Sequence, residues 1–156
     1  MRRGLRLLAT AILVTAAASV HTAPLATVEG QPQTGLREIP LVIRTADGGV
    51  HRYRVEVAET AQQQATGMMF RTEMPRDHGM LFPMRPARVA TFYMRNTLVP
   101  LDIIFIATDN RVLNIGAGKP LDESIVASDG EAAAVLELNA GEAQRIGLQP
   151  GDHIGW

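Results

Sequence analysis

One acid, Asp102, stands in the most apolar stretch of the chain, FYMRNTLVPLDIIFI from Phe92 to Ile106, close to a polar corner of Arg95, Asn96 and Thr97. Strand alternation puts Asp102, Ile104 and Ile106 on one face and Leu101, Ile103 and Phe105 on the other. Both faces are apolar, so the strand is expected at the centre of a sheet with the carboxylate at least partly buried. Such a group must be paired or hydrogen-bonded, because an isolated buried charge is very costly. Arg95, Arg71 and the polar groups of Asn96 and Thr97 are the candidate partners. In a structural role Asp102 ties down the Arg95–Thr97 corner. In a chemical role it is a general acid/base or a substrate-binding carboxylate with a shifted pKa. Arg71 and Arg95 have the guanidinium forks that suit a carboxylate or phosphate ligand, and equally suit internal ion pairs.

Other chemistry is thinner. Glu73, Asp77 and His78 share the loop RTEMPRDHG (Arg71–Gly79) and could supply acid/base groups. No HExxH-like or paired-His spacing accompanies them, so no metal site and no cofactor are expected there. Ser124 and Ser128 lack the GxSxG setting of a nucleophile. Beyond the initiator, six methionines (Met68, Met69, Met74, Met80, Met84 and Met94) fall within 27 residues. They either fill a core that is only 4% aromatic or offer soft thioethers to Cu(I).

The segments that must position these residues begin with one that does not belong to the fold. Arg2, Arg3 and Arg6 precede an apolar run, Leu7–Ala18, followed by small residues. This is the layout of a cleavable signal peptide, residues 1–23, and predicts a periplasmic or secreted protein without a stable membrane anchor after leader cleavage. Without the three leader arginines, twelve basic residues face sixteen acidic ones, a net charge of about −4. Nucleic-acid binding is not expected of such a chain. There is no cysteine to form a disulfide or carry a lipid. Residues 24–36 read as a flexible linker rich in Gly, Pro and polar residues. Residues 37–156 are long enough to stand on one core.

Within that domain, Ile39–Thr45 and Val50–Val57 alternate about Asp47-Gly48-Gly49, a hairpin signature. Thr60 and Gln63 form a capping-box pattern for a short helix that Gly67 stops. Gly79–Phe82 and Val89–Met94 read as two strands separated by Pro83 and Pro86. Leu101–Ile106 and Arg111–Ala117 flank an Asp109-Asn110 turn. Ala132–Asn139 reads as a strand, Glu142–Ile146 as a helical turn capped by Gly147, and His153–Trp156 as a closing strand. About eight short strands with one or two short helices predict a mainly β fold, an antiparallel β-sandwich or partly closed barrel.

Five blocks then occur in order: GMMFR (Gly67–Arg71), GMLF (Gly79–Phe82), the Phe92–Ile106 stretch, VLEL (Val135–Leu138) with Gly141, and PGDHI (Pro150–Ile154). In these the chain resembles the family of domain of unknown function 192 over Leu36–Ile154, with Tyr93 where that family commonly has Trp and Arg95 where it has Lys. The resemblance implies a small, mainly β, sandwich-like domain, often exported in bacteria, with Arg71, Asn96, Thr97 and Asp102 as site formers. It implies no activity.

Three functions fit these residues. The first is an exported binding or accessory module with a polar pocket around Arg71, Arg95, Asn96, Thr97 and Asp102, taking a small anionic or polar ligand or a protein partner. The second is a small hydrolase or lyase using Asp102 or Glu73 as acid/base. The third is a methionine-based Cu(I) site.

Overall fold

The computed structural model describes residues 30–156. The signal peptide expected over residues 1–23, and the linker before Gly30, lie outside the described residues.

Strands β1 (Glu38–Arg44) and β2 (Val50–Val57) form the expected antiparallel hairpin, with Leu41 opposite Tyr53. Its turn is closed by the Asp47 carboxylate, which accepts from Thr45 Oγ1 at 2.5 Å and from the Gly49 N–H at 3.1 Å. These bonds hold the Asp47 carboxyl below its ordinary range. Helix α1 (Ala61–Thr66) opens on a reciprocal capping box. The Gln63 N–H donates to Thr60 Oγ1 at 3.1 Å, and the Thr60 N–H to Gln63 Oε1 at 2.9 Å. Because α1 crosses between them, β2 and β3 (His78–Phe92) pair in parallel, which corrects the all-antiparallel expectation.

The two strands expected on either side of Pro83 and Pro86 are one 15-residue strand, β3, with a broken register. Pro83 faces Ala134 of β6 (Val126–Asn139) and Arg88 faces Ala132, so residues 84–87 bulge out opposite a single position. Neither proline has an N–H to give the ladder, and the chain leaves the sheet where they stand.

Strands β4 (Leu101–Ile106) and β5 (Val112–Gly118) form a second hairpin, and helix α2 (Glu142–Ile146) leads to β7 (His153–Gly155). The seven strands lie in the order β5-β4-β6-β3-β2-β1-β7. Strand β4, expected at the centre, is therefore second from an edge, and β6 and β3 lie further in. The sheet curls into a half-barrel whose edges meet where Arg111 bridges His153 and the Ile154 N–H donates to the Asn110 carbonyl at 2.9 Å. Of the two architectures expected, the partly closed barrel is the one found.

Both faces of the sheet are buried, because successive strand residues point to opposite sides. Leu81, Ile104, Leu136 and Ile154 pack with Ala143 and Ile146 of α2 on one face. Met80, Phe82, Ile103, Phe105 and Val135 pack with Met68 on the other. The described end of the expected linker does not hang free. Gln33 Nε2 donates to the carbonyls of Gln63 and Gly67 at 3.0 and 2.9 Å, which ties this segment to α1.

Candidate functional site

Asp102 is half-buried, and its partners are not arginines. Its Oδ2 accepts from the Ala143 N–H at 2.8 Å and its Oδ1 from the Gly141 N–H at 3.2 Å. Gly141 stands at the N-cap of α2 and has no side chain to cap it. Asp102 supplies that cap from β4, a carboxylate on the amides that a helix start leaves free. It therefore ties down α2 rather than the Arg95–Thr97 corner. Asp102→Ala is expected to cost about 2 kcal/mol and Asp102→Asn less. Urea unfolding and faster hydrogen exchange at the Ala143 amide would register the loss.

The remaining expected residues are dispersed. The Arg71 guanidinium is ion-paired with Glu56 and donates from Nη2 to the Gln33 carbonyl at 3.1 Å. Arg95 is exposed, paired with Glu123 at 2.6 Å and stacked 5.3 Å from the Tyr93 ring centre. Asn96 adopts a positive φ of 56° and its carbonyl accepts from the Phe70 N–H at 2.8 Å, which joins the corner to the chain beside Arg71. Thr97 is buried and reaches the wall of a cavity. The expected pocket uniting Arg71, Arg95, Asn96 and Asp102 is not formed. Glu73 is exposed, and Asp77 and His78 bond each other at 2.9 Å.

The cavity that Thr97 reaches is about 220 Å³ and lies between the C-terminal end of α1 and the face of β3 and β6. Met68, Met69, Phe82, Met84 and Phe92 give it apolar walls, with Phe82 and Phe92 edge-to-face at 5.1 Å. One acid, Glu137 of β6, shares the wall. Met80 and Ile103 flank it in register on the neighbouring strands. Glu137 is 5% exposed, and its Oε2 is fully enclosed without a hydrogen-bond partner among the described residues. The Nε of Arg71 is enclosed and unpartnered in the same way. Burial pushes the Glu137 carboxyl up to about 8, against the opposing pull of the Arg71 charge. At neutral pH the group is mostly a neutral acid, able to donate one hydrogen bond and accept another.

Gly79 sets the spacing of strands beside this residue. A β-carbon there would lie 2.6 Å from the Glu137 carbonyl oxygen and 2.7 Å from Leu138 Cδ2. Gly79→Ala must push β3 away from β6. It is expected to cost about 1–3 kcal/mol in urea unfolding and to shift the Glu137 carboxyl resonance.

A second buried acid, Glu142, lies on the opposite face of the sheet. It accepts from the Tyr53 hydroxyl at 2.7 Å and from Arg145 Nε and Nη2 at 2.8 and 2.5 Å. The Arg145 bonds lead in holding its carboxyl down to about 2.

Sequence reasoning missed Glu137. The signal was available in VLEL, where Val135, Leu136 and Leu138 make both faces apolar around a single acid. That is the test that singled out Asp102.

Several solved structures resemble the chain. A protein of unknown function from Novosphingobium aromaticivorans DSM 12444 is 44% identical, with a TM-score of 0.77 over 84% of this chain and 94% of that one. A protein from Sinorhizobium meliloti 1021, described as a candidate transcription regulator, is 38% identical, with a TM-score of 0.76 over 79% of this chain and 96% of its own. No curated protein matches the chain. A family model for DUF192, described as "Uncharacterized ACR", matches residues 42–156.

Proposed function

As the chain belongs to the DUF192 family, a family described as uncharacterised, we propose its function from the cavity itself: it is an exported module that binds a small molecule. The observation that carries this reading is Glu137, a buried acid with an unpartnered oxygen in a wall of methionine and phenylalanine side chains that Gln64, Arg88 and Thr97 also reach. A buried carboxyl with a strongly raised pKa beside a cavity is the pattern of a functional group. Its neutral form favours a neutral ligand with an apolar body and an amide-like or acid-like end that bonds the carboxyl oxygen not enclosed, Oε1. At about 220 Å³ the cavity is smaller than those that take drug-sized ligands, so the ligand or its buried end is small. Asp102, both of whose oxygens cap α2, and the exposed Glu73 are not carried forward as acid/base groups.

Benzamide serves as the probe. It is expected to raise the midpoint of thermal unfolding saturably below pH 8, and Met69→Trp, which fills the cavity from its wall, removes the effect. No benzamide shift, together with no bound small molecule in native mass spectrometry of the purified protein, sinks the reading. Cu(I) is the second reading, favoured by three thioethers, Met68, Met69 and Met84, in the wall that holds Glu137. It predicts a one-to-one complex in anaerobic titration against a chromophoric Cu(I) chelator. Export rests on the leader pattern, and N-terminal sequencing of the mature protein should find cleavage after Ala18 or Ala23.

A further inference from the structure

The bulge in β3 does more than interrupt a ladder. It carries Arg85, and Arg88 follows where the register resumes, so that both line a groove of about 480 Å³ on the side of β3 where α1 and β1 lie. Neither arginine is ion-paired with a carboxylate among the described residues. The groove's other two charges, Arg37 and Glu59, neutralise each other at 2.5 Å. Two unspent guanidiniums therefore face one depression.

Ile39, Val57, Leu81 and Trp156 are the large apolar residues of its otherwise mostly polar lining. Trp156 is the chain's single tryptophan, 45% exposed, with a free surface for a flat ligand. The start of the bulge is fixed in advance. Gln64 Nε2 donates to the Pro83 carbonyl at 2.8 Å and to the Ala58 carbonyl at 3.1 Å, which pins β3 to α1 just before the arginines. Bulges that re-aim side chains in this way recur beside binding sites.

We infer that this groove binds a ring carrying one carboxylate or phosphate, the anion held by the Arg85 and Arg88 forks and the ring stacked on Trp156. A fork binds either anion in two-pronged fashion, and an indole face accepts a sugar or a planar ring. Acidic sugars and sugar phosphates share this chemistry. The groove adjoins the Glu137 cavity through Arg88 and Gln64, but the inference stands whether or not that cavity takes a ligand.

Trp156 makes the test direct, because all tryptophan emission comes from the groove. Titration with D-glucuronate and with glucose 6-phosphate is expected to change that emission saturably, with millimolar or tighter dissociation for at least one. The tighter of the two identifies the anion. Neutral glucose is expected to give no change, and inorganic phosphate to bind at least tenfold more weakly than the ring-bearing anion. Both arginines are exposed, so Arg85→Gln/Arg88→Gln is expected to fold, which its thermal midpoint verifies, and to lose at least tenfold in affinity. Arg85→Lys/Arg88→Lys keeps the charge but not the forks, and is expected to fall between. Failure of both anions to bind, equal binding of glucose, equal binding of inorganic phosphate, or full affinity in the Gln variant overturns the inference.

Discussion

Replacing Glu137 by Gln is expected to make the protein more stable at pH 8 by several kcal/mol while leaving it nearly unchanged at pH 4. The sign follows from the direction of the shift. The folded carboxyl titrates at about 8 and the ordinary one at 4.5. Below 4.5 the acid is protonated in both states and contributes no pH dependence. Between 4.5 and 8 the unfolded chain releases its proton while the folded chain keeps it. Stability then falls as pH rises, by about 1.4 kcal/mol per pH unit and roughly 5 kcal/mol across the window. Gln has nothing to release and loses only what its amide fails to bond. Urea unfolding of both proteins at pH 4, 6 and 8 measures the divergence, and parallel stability curves would count against a buried, unpaired acid. A group that costs this much at neutral pH is hard to explain by packing, since Gln or Leu would serve the wall better.

The parts of the fold legible in the sequence were those decided within a few residues. Thr60 and Gln63 bond each other across a single turn, and Asp47 closes the loop on which it sits. Gly147 takes the left-handed conformation, at φ 69°, that ends α2. The bulge was half legible. Pro83 and Pro86 announced an interruption, but not that the same strand resumes against β6 beyond it. Strand pairing is a long-range choice, so the place of β4 near an edge and the parallel β2–β3 pair left no local mark.

The candidate site divides in the same way. Alternation identified Asp102 as an acid that needs partners. Those partners are amides 39 and 41 residues away, on a helix whose own N-cap is a glycine. Charge complementarity suggested Arg71 and Arg95, yet these are ion-paired with Glu56 and Glu123 instead. Glu137 carried the same sequence signal as Asp102 but folds into the opposite circumstance, with one oxygen sealed away from any donor. Sequence alternation measures how deeply an acid is set. Only the packed chain decides whether a donor arrives to meet it.

Glu142 shows the other outcome, and its removal should rank among the most damaging single changes outside the apolar core. Glu142→Ala is expected to cost about 3 kcal/mol, because it leaves the Tyr53 hydroxyl buried without its acceptor and Arg145 without its partner. Tyr53→Phe removes only one of these bonds and should cost about 1 kcal/mol. The pH dependence runs opposite to that of Glu137. The folded Glu142 carboxyl lies at about 2, below its ordinary 4.5, so its contribution is complete above 4.5 and is lost as pH falls toward 2. The two acids thus act in adjoining windows with opposite signs. Glu142 makes stability rise with pH up to 4.5, and Glu137 makes it fall from there to 8. The protein is accordingly expected to be most stable near pH 4–5. Glu137→Gln should extend that maximum toward neutrality, and Glu142→Gln should flatten only the acid side. Urea midpoints from pH 2 to 8 for the three proteins test both assignments. A maximum above pH 7 in the unmodified protein would contradict the Glu137 assignment, and an unchanged acid limb in Glu142→Gln would contradict the Glu142 one.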